Sequence, residues 1–260
     1  MELSARRQGE TVWRLTLAGE GGALLDGPGV EALLRALTRV AGDGDCRALV
    51  LDGGEGSFCG GMDLAHVMGQ PRDQVSRHLI QYVECLALLR RLPAVVIAAV
   101  DGAAAGGGLG LAAAADLAFA SARASFALPE LALGLWPVMV LPVLLERVPP
   151  QRVLRLALAG EVGAEEAAGL GLVDRVLADA EALRRAVERQ LRRVHRLRPE
   201  AVGGLKRQLS RLAGLPVAVA LEQAGPAAAQ MLSEADLRRA LAAYLEGAPL
   251  PWFSRAGRSE

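Results

Sequence analysis

Glu130 is the residue in this sequence best placed to do chemistry. It lies in "SFALPELALGLWP", residues 125–137, a stretch with no other charged residue. Among apolar neighbours a carboxyl group loses solvation of its charged form. That raises its pKa toward the range of a general acid/base. The same glutamate also suits the first turn of a helix after Pro129, where a negative charge meets the helix N-terminus favourably. On this stretch alone both readings stand. Two glycine-rich turns could supply a complementary group: "GSFCGGMDL", residues 56–64, and "GGGLG", residues 106–110. Glycine permits positive φ and lets a ligand approach the backbone closely. Two free N–H groups aimed at one point would form an oxyanion hole, which stabilises negative charge developing on a carbonyl oxygen. One such turn by itself would serve equally well to pack a helix tightly on a strand.

These groups need elements to hold them. The first turn follows the short apolar run "RALVLDGG" and the second follows "AVVIAAVDG", both read as buried strands. "TVWRLTLAG" alternates and is expected as the first strand. "GPGVEALLRALTRVAGDGD" has helical spacing and stops at Gly42, and "PRDQVSRHLIQYVECLALLRRLP" is a long amphipathic helix closed by Pro93. "DLAFASARASFALPE" reads as two short strands. From about residue 137 onward the pattern is helical: "VMVLPVLLERV", "PQRVLRLALAG", "GAEEAAGLGL", then three longer helices to Tyr244. This order predicts an α/β core followed by a helical C-terminal subdomain.

The totals narrow the classes. The chain has 260 residues, 52% hydrophobic and 22% charged, which is globular composition with enough length for a sizeable core. The formal net charge is zero, which gives no support to a nucleic-acid or membrane partner. No apolar run has membrane-spanning length free of glycines or charges, and "MELSARRQGE" has no apolar signal core. A cytoplasmic location is expected. Cys46, Cys59 and Cys85 are odd in number and at no metal-ligand spacing, so structural thiols are expected and no metal.

Together "FCGGMDL", "VDGAAAGGGLGLAAAADLAFAS", "ASFALPELALGLWP" and "LALAGEVGAEEAAGLGLVDRV" resemble the crotonase (enoyl-CoA hydratase/isomerase) superfamily, in the family's order and spacing over most of the chain. The resemblance implies a crotonase fold, with a spiral of repeated ββα turns over residues 1–195. A helical subdomain that mediates trimers, or dimers of trimers, would follow over 196–260. It implies no cofactor but a thioester substrate, carried on the phosphopantetheine of an acyl carrier protein or on CoA. The oxyanion hole maps to the N–H groups of Met62 and Gly107, with Glu130 as the acid/base. Cys59, Gly60, Gly61, Asp63, Leu64, Gly106 and Gly108 are the expected substrate contacts around it.

One position departs from the family pattern. Hydratases of this family carry a glutamate just after the glycine run, and here that position is Gly110. A two-carboxylate addition of water lacks its second carboxylate, whereas one acid/base suffices for proton transfer at an α-carbon when the oxyanion hole holds the enolate. "RPEAVGGLKRQLSRL", "MLSEADLRRALAAYLEGAPLPWF" and "GLWPVMVLPVLLERV" resemble a subgroup, the dehydratases of polyketide β-branching cassettes. That resemblance implies dehydration of 3-hydroxy-3-methylglutaryl on an acyl carrier protein to 3-methylglutaconyl. The alternatives are a CoA-linked hydratase or 3,2-enoyl isomerase of fatty-acid or branched-chain catabolism and, from another class, a non-catalytic scaffold or RNA-binding relative.

Other residues carry two readings each. The arginine-rich stretch from residue 181 to 212 could steer an acidic carrier protein or be the solvated faces of surface helices. His78, Tyr82 and Cys85 share a helix face, and Tyr82 is expected either at the acyl pocket or packed within the fold. Asp63 reads as a helix cap beside the oxyanion residue. Trp136 reads as a pocket residue or as core packing, and His66 is isolated.

Overall fold

The computed structural model describes residues 1–19, 22–54 and 56–253. Contacts divide the chain into two compact units, Met1–Gln190 and Leu191–Glu260, so the division falls inside a helix rather than at the expected 195/196. The first unit opens with a hairpin, β1 (Glu2–Gln8) antiparallel to β2 (Val12–Ala18). The sequence reading misses β1, which places "TVWRLTLAG" second. Four of its seven residues are charged or glutamine, and its outer positions are exposed, as on an edge strand. Helix α1 (Gly27–Gly42) follows, with the Asp26 carboxylate accepting the Gly29 N–H at 2.8 Å.

A repeating path then begins. β3 (Ala48–Gly53) leads to β4 (Ser57–Cys59), then α2 (Leu64–Met68) and α3 (Arg72–Arg91). β5 (Val95–Val100) leads to β6 (Ala103–Ala105) and α4 (Gly107–Ala114). β7 (Leu117–Ser121) leads to β8 (Ser125–Ala127) and a 3₁₀ turn over Pro129–Leu133. Helices α5 (Leu141–Leu145) and α6 (Pro150–Ala159), β9 (Glu161–Gly163), α7 (Ala164–Leu170) and β10 (Arg175–Leu177) follow, and α8 (Ala180–Val194) begins in this unit. Each turn of the spiral gives one strand to each of two sheets. The large sheet is ordered β1-β2-β3-β5-β7-β10 and the small one β4-β6-β8-β9. Apart from the β1 hairpin, all neighbours in the large sheet are parallel. Its central strands are continuous apolar runs, as burial on both faces requires.

The short strands β9 and β10 correct the expectation of helices alone after residue 137. Each has only three residues and is recruited by pairing with β8 and β7, so neither shows a periodicity of its own. All eight residues of α4 are buried, which accounts for a helix apolar on every side and built from glycine, alanine and leucine. The second unit is helical: α9 (Pro199–Leu212), α10 (Val217–Ser233) and α11 (Ala235–Leu245). With α8, four helices stand where three are expected, because Glu234 breaks the last apolar stretch in two. No described helix is long and apolar enough to cross a membrane.

Candidate active site

Three adjacent parallel strands of the small sheet, β4, β6 and β8, end at the same edge. Met62 lies three residues beyond β4, Gly107 two beyond β6 and Glu130 three beyond β8. Loops beyond the carboxyl ends of parallel strands are where such sheets present ligand groups, and all three candidate catalytic residues lie there.

The first turn is pinned by a short bridge between Leu25 and Met62. Leu25 N–H donates to the Gly61 carbonyl at 2.7 Å and Asp63 N–H donates to the Leu25 carbonyl at 3.0 Å. This bridge leaves the Met62 N–H unused. Gly61 has φ +90°, and a Cβ there would lie 2.7 Å from the Ala105 carbonyl oxygen and 3.1 Å from the Gly107 amide nitrogen. The two glycine turns therefore abut, and only glycine at 61 allows it. In the second turn the Gly106 N–H donates to the Ala127 carbonyl at 3.0 Å, extending the β6–β8 pairing by one step. Gly107 is the first residue of α4, so its N–H has no acceptor within the helix. Two unspent backbone donors thus come from touching turns.

Glu130 is held by the 3₁₀ turn, whose end is closed by Gly134 at φ +72° and by the Leu135 N–H donating to the Glu130 carbonyl at 2.9 Å. Its side chain reaches back to the second turn: a Cβ on Gly106 would lie 3.0 Å from Oε1. Oε2 is buried with no hydrogen-bond partner. Burial pushes its pKa above the ordinary glutamate value of 4.5, opposed by a bond from its own backbone. An unspent carboxylate oxygen of raised pKa beside two free N–H groups is the arrangement that α-proton transfer needs.

The groups open onto a cavity of about 700 Å³. Gly60, Gly61, Met62, Leu64, Gly106, Gly107, Glu130 and Trp136 line it, and Glu130 is the one ionisable residue among the described lining. The structure does not bring the remaining candidates to the cavity wall. Cys59 is fully buried behind it, its thiol pushed up to about 11 by desolvation. Gly108 is a packing glycine, since a Cβ there would lie 2.0 Å from the Cys59 carbonyl oxygen. Asp63 caps α2, accepting the His66 N–H at 2.9 Å. Tyr82 is fully buried and its hydroxyl donates to the Gly107 carbonyl at 2.6 Å, so it touches the oxyanion turn and not the cavity. Trp136 corrects the core-packing reading: it is 70% exposed and lines the cavity. His78 sits over Gly27 and 3.8 Å from Glu31, away from the wall.

Sequence reasoning misses the role of Val140. A Cβ on Gly110 would lie 2.4 Å from Val140 Cγ1 and 2.5 Å from the Tyr82 hydroxyl. The place of the family's second carboxylate is filled by these two side chains. No spacing signal could show this, because Tyr82, Gly110 and Val140 are brought together only by the tertiary fold. The arginine-rich helices show ion pairs within their own units: Arg184 and Arg185 with Glu181, and Arg198 with Glu200 and Glu234. No cluster of three or more His, Cys, Asp or Glu residues is placed to hold a metal ion among the described residues.

A family model described as enoyl-CoA hydratase/isomerase matches residues 25–255. The chain is 32% identical over 208 residues to the bacillaene synthase dehydratase PksH of Bacillus subtilis (strain 168), covering 78% of this chain and 78% of that protein. It is 31% identical over 235 residues to the mitochondrial delta(3,5)-delta(2,4)-dienoyl-CoA isomerase of Homo sapiens, covering 84% of this chain and 71% of that protein. Among solved structures it is similar to an enoyl-CoA hydratase of Mycobacterium smegmatis, with a TM-score of 0.88 at 29% identity over 96% of this chain and 98% of that one.

Proposed function

The chain belongs to the enoyl-CoA hydratase/isomerase family, and we propose that within it the chain dehydrates a 3-hydroxyacyl thioester, with 3-hydroxy-3-methylglutaryl on an acyl carrier protein as substrate. The observation that carries this reading is the lone carboxylate of Glu130 beside two free N–H groups, with the Gly110 position filled. The thioester carbonyl accepts the N–H groups of Met62 and Gly107. Ionised Glu130 takes the α-proton, and the C–H electron pair moves into an enolate whose oxygen the two donors stabilise. Re-forming the carbonyl expels the β-hydroxyl, which takes the proton back from Glu130 and leaves as water. The product is an α,β-unsaturated thioester and Glu130 ends as it began. No second carboxylate enters. The dehydratase relative from Bacillus subtilis supports the choice of direction. An acyl carrier protein partner and a trimer, or dimer of trimers, belong to the same proposal.

A second reading rests on the cavity wall, which offers no cation for a distal carboxylate among the described residues. An apolar enoyl-CoA would fit such a wall, and Glu130 would then shuttle one proton between the α- and γ-carbons. The human isomerase relative supports this alternative. Mass spectrometry of the acylated carrier protein, run beside absorbance assays with crotonyl-CoA and a 3-enoyl-CoA, separates the two. Loss of one water from the carrier-bound group with slow crotonyl-CoA hydration is expected. Isomerisation of the 3-enoyl-CoA with no reaction on the carrier would overturn the dehydratase reading.

A further inference from the structure

The proposed second oxyanion donor sits on a run of three glycines. Gly106, Gly107 and Gly108 are consecutive, Gly106 has φ +47°, and no side chain caps α4. A glycine run loses more conformational freedom on ordering than any other segment of its length, so its course is set by hydrogen bonds and packing from its neighbours: the Gly106 N–H donates to the Ala127 carbonyl and the Gly106 carbonyl accepts the Gly110 N–H, both at 3.0 Å. The next peptide, which carries the Gly107 carbonyl, is held by a side chain from outside the run.

Tyr82 is the side chain that reaches it. It stands on α3, is fully buried, and gives its hydroxyl hydrogen to the Gly107 carbonyl at 2.6 Å. Its ring lies against the same residue: a Cβ on Gly107 would be 3.4 Å from Tyr82 Cζ. One helical turn further on it also lies against Gly110, where a Cβ would be 2.5 Å from the hydroxyl oxygen. Leu25, which bridges to Met62 in the first turn, closes on Gly107 from another side, 2.9 Å from a Cβ there. Burial pushes the Tyr82 pKa well above its ordinary value of 10.0, so the hydroxyl keeps its proton and remains a donor.

We propose that Tyr82 is a positioning residue for the reaction: the Gly107 N–H lies in the Gly106–Gly107 peptide, whose carbonyl accepts the Gly110 N–H at 3.0 Å, and the buried Tyr82 hydroxyl, bound to the Gly107 carbonyl at 2.6 Å, holds the next peptide and with it the Gly107 dihedral angles that set where the donor points. Tyr82 touches no substrate, since it does not line the cavity. This rests on the reading of Gly107 as an oxyanion donor. It also explains why a tyrosine, and not an apolar residue, is buried against α4. A buried hydroxyl without a partner would be costly, and here its partner is the backbone of the catalytic turn.

The test uses butyryl-CoA labelled with ¹³C at the carbonyl, bound to the full chain. Two quantities are read: the downshift of the carbonyl stretch on binding, and the rate of α-proton exchange into D₂O. The parent chain is expected to lower the stretching frequency. Tyr82→Phe keeps the ring and removes only the donor. It is expected to lose much of that downshift and about tenfold in exchange kcat, with KM held within about twofold, because a misdirected donor weakens transition-state binding more than substrate binding. A folded Tyr82→Phe chain with the parent's downshift and the parent's kcat would overturn the inference. A parent chain that produces no downshift would overturn the oxyanion reading itself, a separate failure. Where Tyr82→Phe does not fold, the parent decides. The chain has only two tyrosines, Tyr82 and the half-exposed Tyr244. Buried and hydrogen-bonded, the Tyr82 hydroxyl proton is expected to exchange slowly enough to be seen and to shift in the proton NMR spectrum when butyryl-CoA binds, and an unmoved resonance would overturn the inference.

Discussion

The 3₁₀ turn that carries Glu130 and the first turns of α4 both begin just past parallel strands of the small sheet, yet they are built to opposite ends. The Glu130 turn is shallow and presents a carboxylate with one oxygen buried and unspent. Helix α4 is buried along its whole length and presents only backbone to the cavity. Where its face could have carried a second carboxylate, at Gly110, Val140 and Tyr82 already fill the volume. On the proposed mechanism the difference teaches that the site divides its work: charge stabilisation would come from main chain and proton transfer from one side chain. The absence of a second acid/base is therefore a matter of packing as much as of sequence.

Removing the main-chain contribution is expected to have the largest effect among the changes to α4. Gly107→Pro deletes one oxyanion donor, and turnover should fall by about 10²–10³-fold. Circular dichroism must match the parent for the comparison to count, and a folded variant with the parent's kcat would show that this N–H does not bind the oxyanion.

Gly110→Glu tests the closed face. Its Cβ would meet Val140 and Tyr82 at under 2.6 Å, so the variant is overpacked before the carboxylate is considered. A loss of about 1–3 kcal/mol is expected, seen as a lower Tm, with no gain in crotonyl-CoA hydration. An unchanged Tm with new hydration would mean that the face opens readily and that the side chain alone was missing.

The smallest effect is on the pH dependence of the open turn. Burial raises the Glu130 pKa above 4.5 in the folded chain. The base must be ionised, so kcat/KM is expected to fall as pH drops through that raised value, giving an acid limb above the ordinary glutamate range. Stability runs the other way. A raised folded pKa means that protonation favours the fold, a contribution present below 4.5 and lost as pH rises through the folded value. Glu130→Gln, which cannot ionise, is thus expected to melt above the parent at neutral pH and level with it below pH 4.5. A gap that does not change with pH would show that burial does not perturb this carboxyl.

The glycine turns and Glu130 are legible in the sequence because residue type marks them: glycine is what φ +90° at Gly61 favours, and Glu130 is the lone carboxylate of an apolar stretch. The long helices α1 and α3 are legible from their periodicity. Of the three strands that align the site, β8 is legible as the second short strand of "DLAFASARASFALPE", whereas β4 and β6 are not, because each has three residues and exists through pairing with its neighbours. The sequence leaves Trp136 between pocket and core because aromatic residues bury themselves by default, and its exposure at the cavity decides for the pocket. The Tyr82 contact joins residues 25 positions apart and is invisible to any local pattern.

The account stands on Glu130 being the one group that moves the proton, and α-proton exchange of butyryl-CoA in D₂O tests this without assuming which product the enzyme makes. The parent chain is expected to exchange the α-proton, and Glu130→Gln, with the same fold and the same carbonyl downshift on binding, is expected to exchange about 10²–10⁴-fold more slowly. Exchange by folded Glu130→Gln at the parent's rate would contradict the account and move the proton to another group.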